Sequence, residues 1–234
     1  LVAGKGHEKI QDYGKKKLFF SDQKVILDSI KYKNKFLSND LKLNIMSEES
    51  KTQISNKTLI KNISINSKLI KKNDVFFAIK GKRLNGNRYV SEALKKKSSL
   101  AIVNYMNKDY PRSKQVKVKN SLNFLTKCSS IFRENINAKI ISITGSSGKT
   151  TLKEMIGHTL KKVSRTTFSP KSFNNKFGVP LSLFNLKQND NFGVFEVGMD
   201  KKGEINNLTK IIKPDLGIIT NISYAHSKNF KNIK

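Results

Sequence analysis

Apolar positions along this chain come in short bursts separated by polar, turn-forming stretches, and the rhythm changes from one segment to the next. From residue 139 onward it is regular. The runs "KIISIT" (139–144), "TTF" (166–168), "GVFEV" (193–197) and "LGIIT" (216–220) alternate with helix-like stretches starting at Thr150, near 179–186 and near 205–212. Short apolar runs bounded by turn residues are the pattern of buried strands. Strands alternating with helices predict right-handed crossovers and a parallel sheet covered on both faces.

Upstream, "LIKNISI" (59–65), "DVFFAI" (74–79), "LAIV" (100–103) and "VKV" (116–118) surround one helix at about 89–97. That predicts a small α/β domain over residues 58–135. Its last element, "SLNFLTKCSSIFREN", is an amphipathic helix with Leu122, Leu125, Cys128 and Phe132 near one face. Residues 1–31 read as the end of another domain, closing on a short helix, "SDQKVILDSI", capped by Ser21 or Asp22. Between them, 32–57 is rich in Lys, Asn and Ser without a clear period, and reads as a linker with at most one weak helix. Met46, inside it, is an alternative start.

The charge is extreme: 46 Lys and Arg against 17 Asp and Glu, a formal +29. A basic stripe would point to nucleic acid. These lysines are spread through nearly every segment, so the reading is solvated faces and no nucleic-acid partner. The single cysteine, Cys128, allows no internal disulfide and fits a reducing, cytoplasmic setting. No apolar run approaches the roughly 20 residues of a membrane span, and no basic-then-apolar leader is visible. The chain opens on Leu1 and stops at Lys234, which reads as an internal slice of a longer protein.

The most specific signal is "TGSSGKTT" (144–151), lying between a strand and a helix. Gly145 and Gly148 let the turn bring the N–H groups of Ser146, Ser147 and their neighbours onto phosphate oxygens, at the positive end of the helix that follows. Lys149 adds a mobile cation, and Thr150 and Thr151 add hydroxyls, Thr150 being the one suited to Mg²⁺. A nucleoside triphosphate is the ligand this arrangement calls for, which makes 136–234 a P-loop parallel-sheet ATPase domain. Glu196 ends the next strand, where its carboxylate could share that metal with Thr150, or stand as a plain surface acid. His226 follows another strand end, as a metal or phosphate contact or a structural imidazole. Asn174 and Asn175 sit on the loop after the second strand, where turn chemistry alone explains them equally well.

Four motifs in order, "TGSSGKTT", "NNKFGVPLSL", "FEVGMDKKGEI" and "PDLGIITNISYAH", resemble the central ATPase domain of the Mur ligases, which build the peptidoglycan stem peptide. "EVGMDKKGEI" is similar to the form in the branch that adds D-alanyl-D-alanine to UDP-MurNAc-tripeptide. The diaminopimelate-adding branch carries Ser-Ser-His after that glutamate, which this chain lacks. Residues 59–103 resemble the family's amino-terminal domain, which holds the uridine nucleotide. That implies substrate contacts at Ser67, Lys68, Asn85 and Gly86, although the chain reads Asn66-Ser67-Lys68 for the family's Asp-Ser-Arg and Asn85-Gly86-Asn87 for its Asp-Gly-His. "LVAGKGHEKIQDYG" resembles the carboxyl-terminal end of a diaminopimelate-adding ligase, with Gly4 and Glu8 in its substrate-gripping segment, so the parent would be a fusion of the two enzymes. An unrelated domain edge is the alternative.

The resemblance implies ATP and Mg²⁺ as cofactors and an acyl phosphate on the tripeptide carboxylate that the D-alanyl-D-alanine amine then attacks. In that scheme Lys149 steadies the phosphates and Thr150 and Glu196 hold Mg²⁺. His226 assists a second metal or the phosphate, and Asn174 and Asn175 lie near the transferring group. A monomer is expected, inactive alone for want of the family's carbamylated lysine and third domain. Another Mur branch, a relic, or a P-loop NTPase stimulated by nucleic acid are the competing readings.

Overall fold

A computed structural model describes residues 10–12, 14, 17–19, 21–81 and 84–223 of the 234. Two short strands, β1 (Ile10–Asp12) and β2 (Lys17–Phe19), pair antiparallel and lead into a helix, α1 (Asp22–Ser50). Next come β3 (Ile63–Ser64), β4 (Val75–Phe77), α2 (Val90–Lys95), β5 (Leu100–Val103), β6 (Gln115–Lys117) and α3 (Ser121–Glu134). The last section holds β7 (Lys139–Thr144), α4 (Lys149–Val163), β8 (Thr166–Phe168), α5 (Gly178–Leu183), β9 (Phe192–Glu196), α6 (Glu204–Ile212) and β10 (Leu216–Ile219).

Two four-stranded, wholly parallel sheets result. The first runs β3-β4-β5-β6, in chain order. In the second the order is β10-β7-β9-β8. There the chain leaves β7 for the far edge and returns, so the order reverses between β7 and β9. Ligands of open parallel sheets bind outside the carboxyl ends of strands at such a switch point.

Residues 32–50, expected as the main part of a linker, belong to α1, and only 51–57 of that segment lack regular structure. Ser21 caps α1 by accepting from the Lys24 N–H at 3.3 Å, and the helix runs unbroken to Ser50. Its described buried positions are 39, 42, 43, 45 and 46, and four of them, 39, 42, 43 and 46, have the helical i, i+3, i+4, i+7 spacing. Two of the four are polar, Asn39 and Lys42, which hides the stripe from a count of apolar residues. Asn39 accepts from the Ile60 N–H at 2.6 Å and donates to the Thr58 carbonyl at 3.2 Å, tying the helix to the strand that follows. Lys42 lays its stem in the core and its ammonium 5.4 Å above the Phe132 ring. Met46 is fully buried.

One hydrophobic core runs through both sheets, joined by α3. Phe124 of α3 stacks on Phe77 of β4 at 6.1 Å between centroids, and Phe132 meets Phe184 beyond α5 at 5.2 Å. Cys128 lies between them, fully buried, its thiol pushed up to about 12 by desolvation. The second sheet thus packs through α3 on the same core as the first.

Candidate active site

β7 ends at Thr144, and the next four residues turn the chain into α4. Gly145 has φ +134° and Gly148 φ +76°, both in the left-handed half of backbone space that favours glycine. Gly145 is also held against Thr220 and Asn221 after β10, with no room for a side chain. No side chain caps α4, so the N–H groups of Lys149, Thr150 and Thr151 leave its first turn without intrahelical acceptors. With the helix dipole they make an anion-binding end.

The earlier amides of the turn are engaged. Ser146 donates its N–H to the Asn221 carbonyl at 3.0 Å, and Ser147 donates to Asn221 Oδ1 at 2.9 Å. The Thr220 hydroxyl donates to the Ser147 carbonyl at 2.6 Å, and the Ser146 hydroxyl accepts from the Ser223 N–H at 2.8 Å. The loop after β10 therefore closes over the turn, and a phosphate oxygen reaching Ser146 or Ser147 has to displace Asn221. Sequence reading missed Asn221, although it stands in the same "TNISYAH" motif as His226, which lies outside the described residues. Gly4 and Glu8 do too. Lys149 folds back, its ammonium donating to the Gly145 carbonyl at 2.6 Å.

Across the switch point, Glu196 pairs in register with Ile143, the residue before Thr144. Its side chain is only 1% exposed. Oε2 accepts from the Thr150 hydroxyl at 2.7 Å and Oε1 from Asn174 Nδ2 at 2.7 Å. Asn174 in turn accepts the Gly198 N–H on its carbonyl at 2.7 Å, and its side chain fills the space a Cβ on Gly198 would need. Ser172 Oγ stands 3.3 Å from Thr150 Oγ1. Asn175 points elsewhere: its Oδ1 accepts the N–H groups of Phe177 and Gly178, both at 3.0 Å, fastening the entry to α5.

A hydroxyl and a buried carboxylate touching at the mouth of a phosphate-binding turn are hard oxygen donors of the kind Mg²⁺ takes. Among the described residues no group of three or more His, Cys, Asp or Glu comes together.

In the first sheet the residues expected to touch the uridine nucleotide are largely spent on the fold. Ser67 is buried and donates to Glu92 Oε2 at 2.8 Å, in a knot that Lys96 completes with bonds to the carbonyls of Ser67 and Lys68. Asn85 caps a short 3₁₀ turn, accepting from the Asn87 N–H at 3.1 Å. Gly86 packs where a Cβ would lie 2.5 Å from the Ile79 nitrogen. Lys80, Asn85, Asn87 and Asn104 nevertheless line a cavity of about 310 Å³ beside Tyr105 and Lys119.

A glycine turn between a parallel strand and a helix, with a buried carboxylate facing it from the neighbouring strand, is an α/β arrangement suited to phosphate. Residues 143–234 match the Mur ligase middle domain. The chain belongs to the Mur ligase family. It is 36% identical over 182 residues to the UDP-N-acetylmuramoyl-tripeptide--D-alanyl-D-alanine ligase of Rickettsia prowazekii, covering 78% of this chain and 40% of that protein. The ligase of the same name from Haemophilus influenzae is 35% identical over 69% of this chain and 36% of its own length. Among solved structures, MurF from Acinetobacter baumannii superposes with a TM-score of 0.72 at 32% identity, over 81% of this chain and 43% of its own. MurF from Thermotoga maritima, solved in complex with ADP, gives 0.63 at 31% identity, over 73% of this chain and 39% of its own. The chain spans about two fifths of the length of these relatives.

Proposed function

We propose that this chain supplies the sugar-nucleotide-binding and ATP-binding parts of a cytoplasmic ligase that joins D-alanyl-D-alanine to UDP-MurNAc-tripeptide, with ATP and Mg²⁺. The observation that carries this reading is the Thr150–Glu196 contact of 2.7 Å at the mouth of the glycine turn. The four-motif order and the MurF relatives support the choice of branch.

Amide formation from a carboxylate needs the carboxylate activated, and phosphoryl transfer from ATP does that, leaving an acyl phosphate that the amine attacks. Such a transfer depends on alignment and charge neutralisation. Lys149 would exchange the Gly145 carbonyl for phosphate oxygens, and the first amides of α4 would hold the same phosphates. Thr150 and Glu196 would hold Mg²⁺, which when bound neutralises charge building on the transferring group. Asn174 would keep the Glu196 carboxylate turned toward Thr150. Asn175 acts at one remove, by fixing the loop. The 310 Å³ cavity at Lys80 and Asn85 is the place for the uridine nucleotide, and the lost arginine and histidine of the family pattern leave Lys68 and Asn87 at those positions. For residues 1–31 the proposed origin is a diaminopimelate-adding ligase fused upstream.

Calorimetric titration of the chain with MgATP and, separately, with UDP-MurNAc-tripeptide tests the proposal. Saturable binding of both is expected. Binding of neither, or nucleotide hydrolysis stimulated by DNA or RNA and indifferent to the muramyl peptide, would contradict it.

A further inference from the structure

Lys153 is a lysine with no exposed surface, one turn beyond Lys149 on α4. Burying an ammonium costs several kcal/mol unless charge and hydrogen bonds meet it. Here its Nζ donates to the Lys171 carbonyl and lies 2.9 Å from Glu154 Oε1. Lys171 itself is in the left-handed region, with φ +49° on a residue that is not glycine. That conformation is also unfavourable. The two unfavourable features touch: the turned peptide brings its carbonyl to the buried ammonium, which donates to it.

What they fasten is the stretch 169–177. Ser172 follows Lys171 and meets the Thr150 hydroxyl, and Asn174 donates to Glu196. The close approach that buries Lys153 is set one turn further along α4, where Gly157 lies against Phe168 of β8 with no room for a Cβ, which would come within 2.6 Å of the ring. Helix, strand and loop are thus pinned at two successive turns of α4.

We infer that Lys153 is a positioning residue that, through the Lys171 carbonyl, fixes the Ser172–Asn174 loop and with it the orientation of the Glu196 carboxylate toward the metal. The inference rests on the nucleotide-site reading for its consequence, but the loop contact can be read without nucleotide. Outer-shell partners of metal ligands typically govern about 10- to 100-fold in metal affinity or activity.

The test compares the wild-type chain with Lys153→Met and Lys153→Arg by amide hydrogen exchange across 169–177 without ligand, and by ADP affinity with and without Mg²⁺. Lys153→Met is expected to speed exchange at 171–175 while the rest of α4 stays protected. It should also cut the Mg²⁺-dependent gain in ADP affinity by about tenfold or more, leaving Mg²⁺-free affinity in place. Lys153→Arg, which keeps a donor and the charge, should recover part of both. If the Met variant does not fold, Lys153→Leu, neutral and without a donor, is read in the same way. Unchanged exchange at 171–175 in a folded neutral variant overturns the inference. A wild-type chain that binds no ADP counts against the proposed function instead, because the exchange measurement still judges Lys153.

Discussion

Thr150, in the first turn of α4, gives its hydroxyl to Glu196, at the end of β9, across 2.7 Å. The two are 46 positions apart in the chain, and β7 and β9 bring them together by pairing side by side. Both carboxylate oxygens accept from neutral donors, Thr150 and Asn174, at the edge where the glycine turn opens.

Glu196→Gln follows directly. The amide is nearly the same size and keeps one acceptor for Thr150 or Asn174, so thermal stability should change by no more than about 1 to 2 kcal/mol. The Mg²⁺-dependent part of nucleotide affinity should vanish. Calorimetry with and without Mg²⁺, beside a thermal melt, checks both halves.

Gly86 separates packing from ligand contact. A Cβ there would meet the Ile79 nitrogen at 2.5 Å, which is backbone and has little room to move. Gly86→Ala should cost about 1 to 3 kcal/mol, as overpacked cores do, and lower the denaturation midpoint. A variant as stable as wild type would show that the 3₁₀ turn yields more readily than its packing implies.

Lys42 carries a pH signature. Burial lowers it from 10.5 to about 8, so between those values the unfolded chain holds a proton that the folded chain has released. Stability therefore rises with pH across that window and the penalty is fully present below about 8. Lys42→Met should raise stability at neutral pH by on the order of 2 kcal/mol, after allowing for the lost contact with the Phe132 ring. It should also flatten the rise between pH 8 and 10.5. Urea denaturation of both proteins at pH 7 and pH 10 reads the difference.

Much of this site can be read from the letters. The glycine turn, Lys149 and Thr150 stand out because strand, turn and helix are local, and Glu196 because it ends a later strand, and the structure brings Thr150 and Glu196 into contact. The strands and helices after 139 do likewise. What the letters conceal depends on distant partners. α1 looked like a linker because Asn39 and Lys42 occupy half its buried stripe, and only the Ile60 backbone and the Phe132 ring make those places habitable for polar groups. Asn221 and Lys153 look like ordinary polar residues until the fold sets one over the turn and the other beneath the Lys171 carbonyl. Ser67 keeps the letter of a family pattern and Asn85 departs from it, yet the hydrogen bonds of both serve the fold, Ser67 toward Glu92 of α2 and Asn85 within its own turn.

The account turns on whether the amino end of α4 holds the tail of a nucleotide, and the most direct measurement is the MgATP affinity of the chain beside that of Lys149→Ala. Losing one charge-assisted contact of about 1.5 to 3 kcal/mol should weaken binding by about tenfold to a hundredfold, with the melting temperature nearly unmoved. Equal affinity in the two proteins would contradict it.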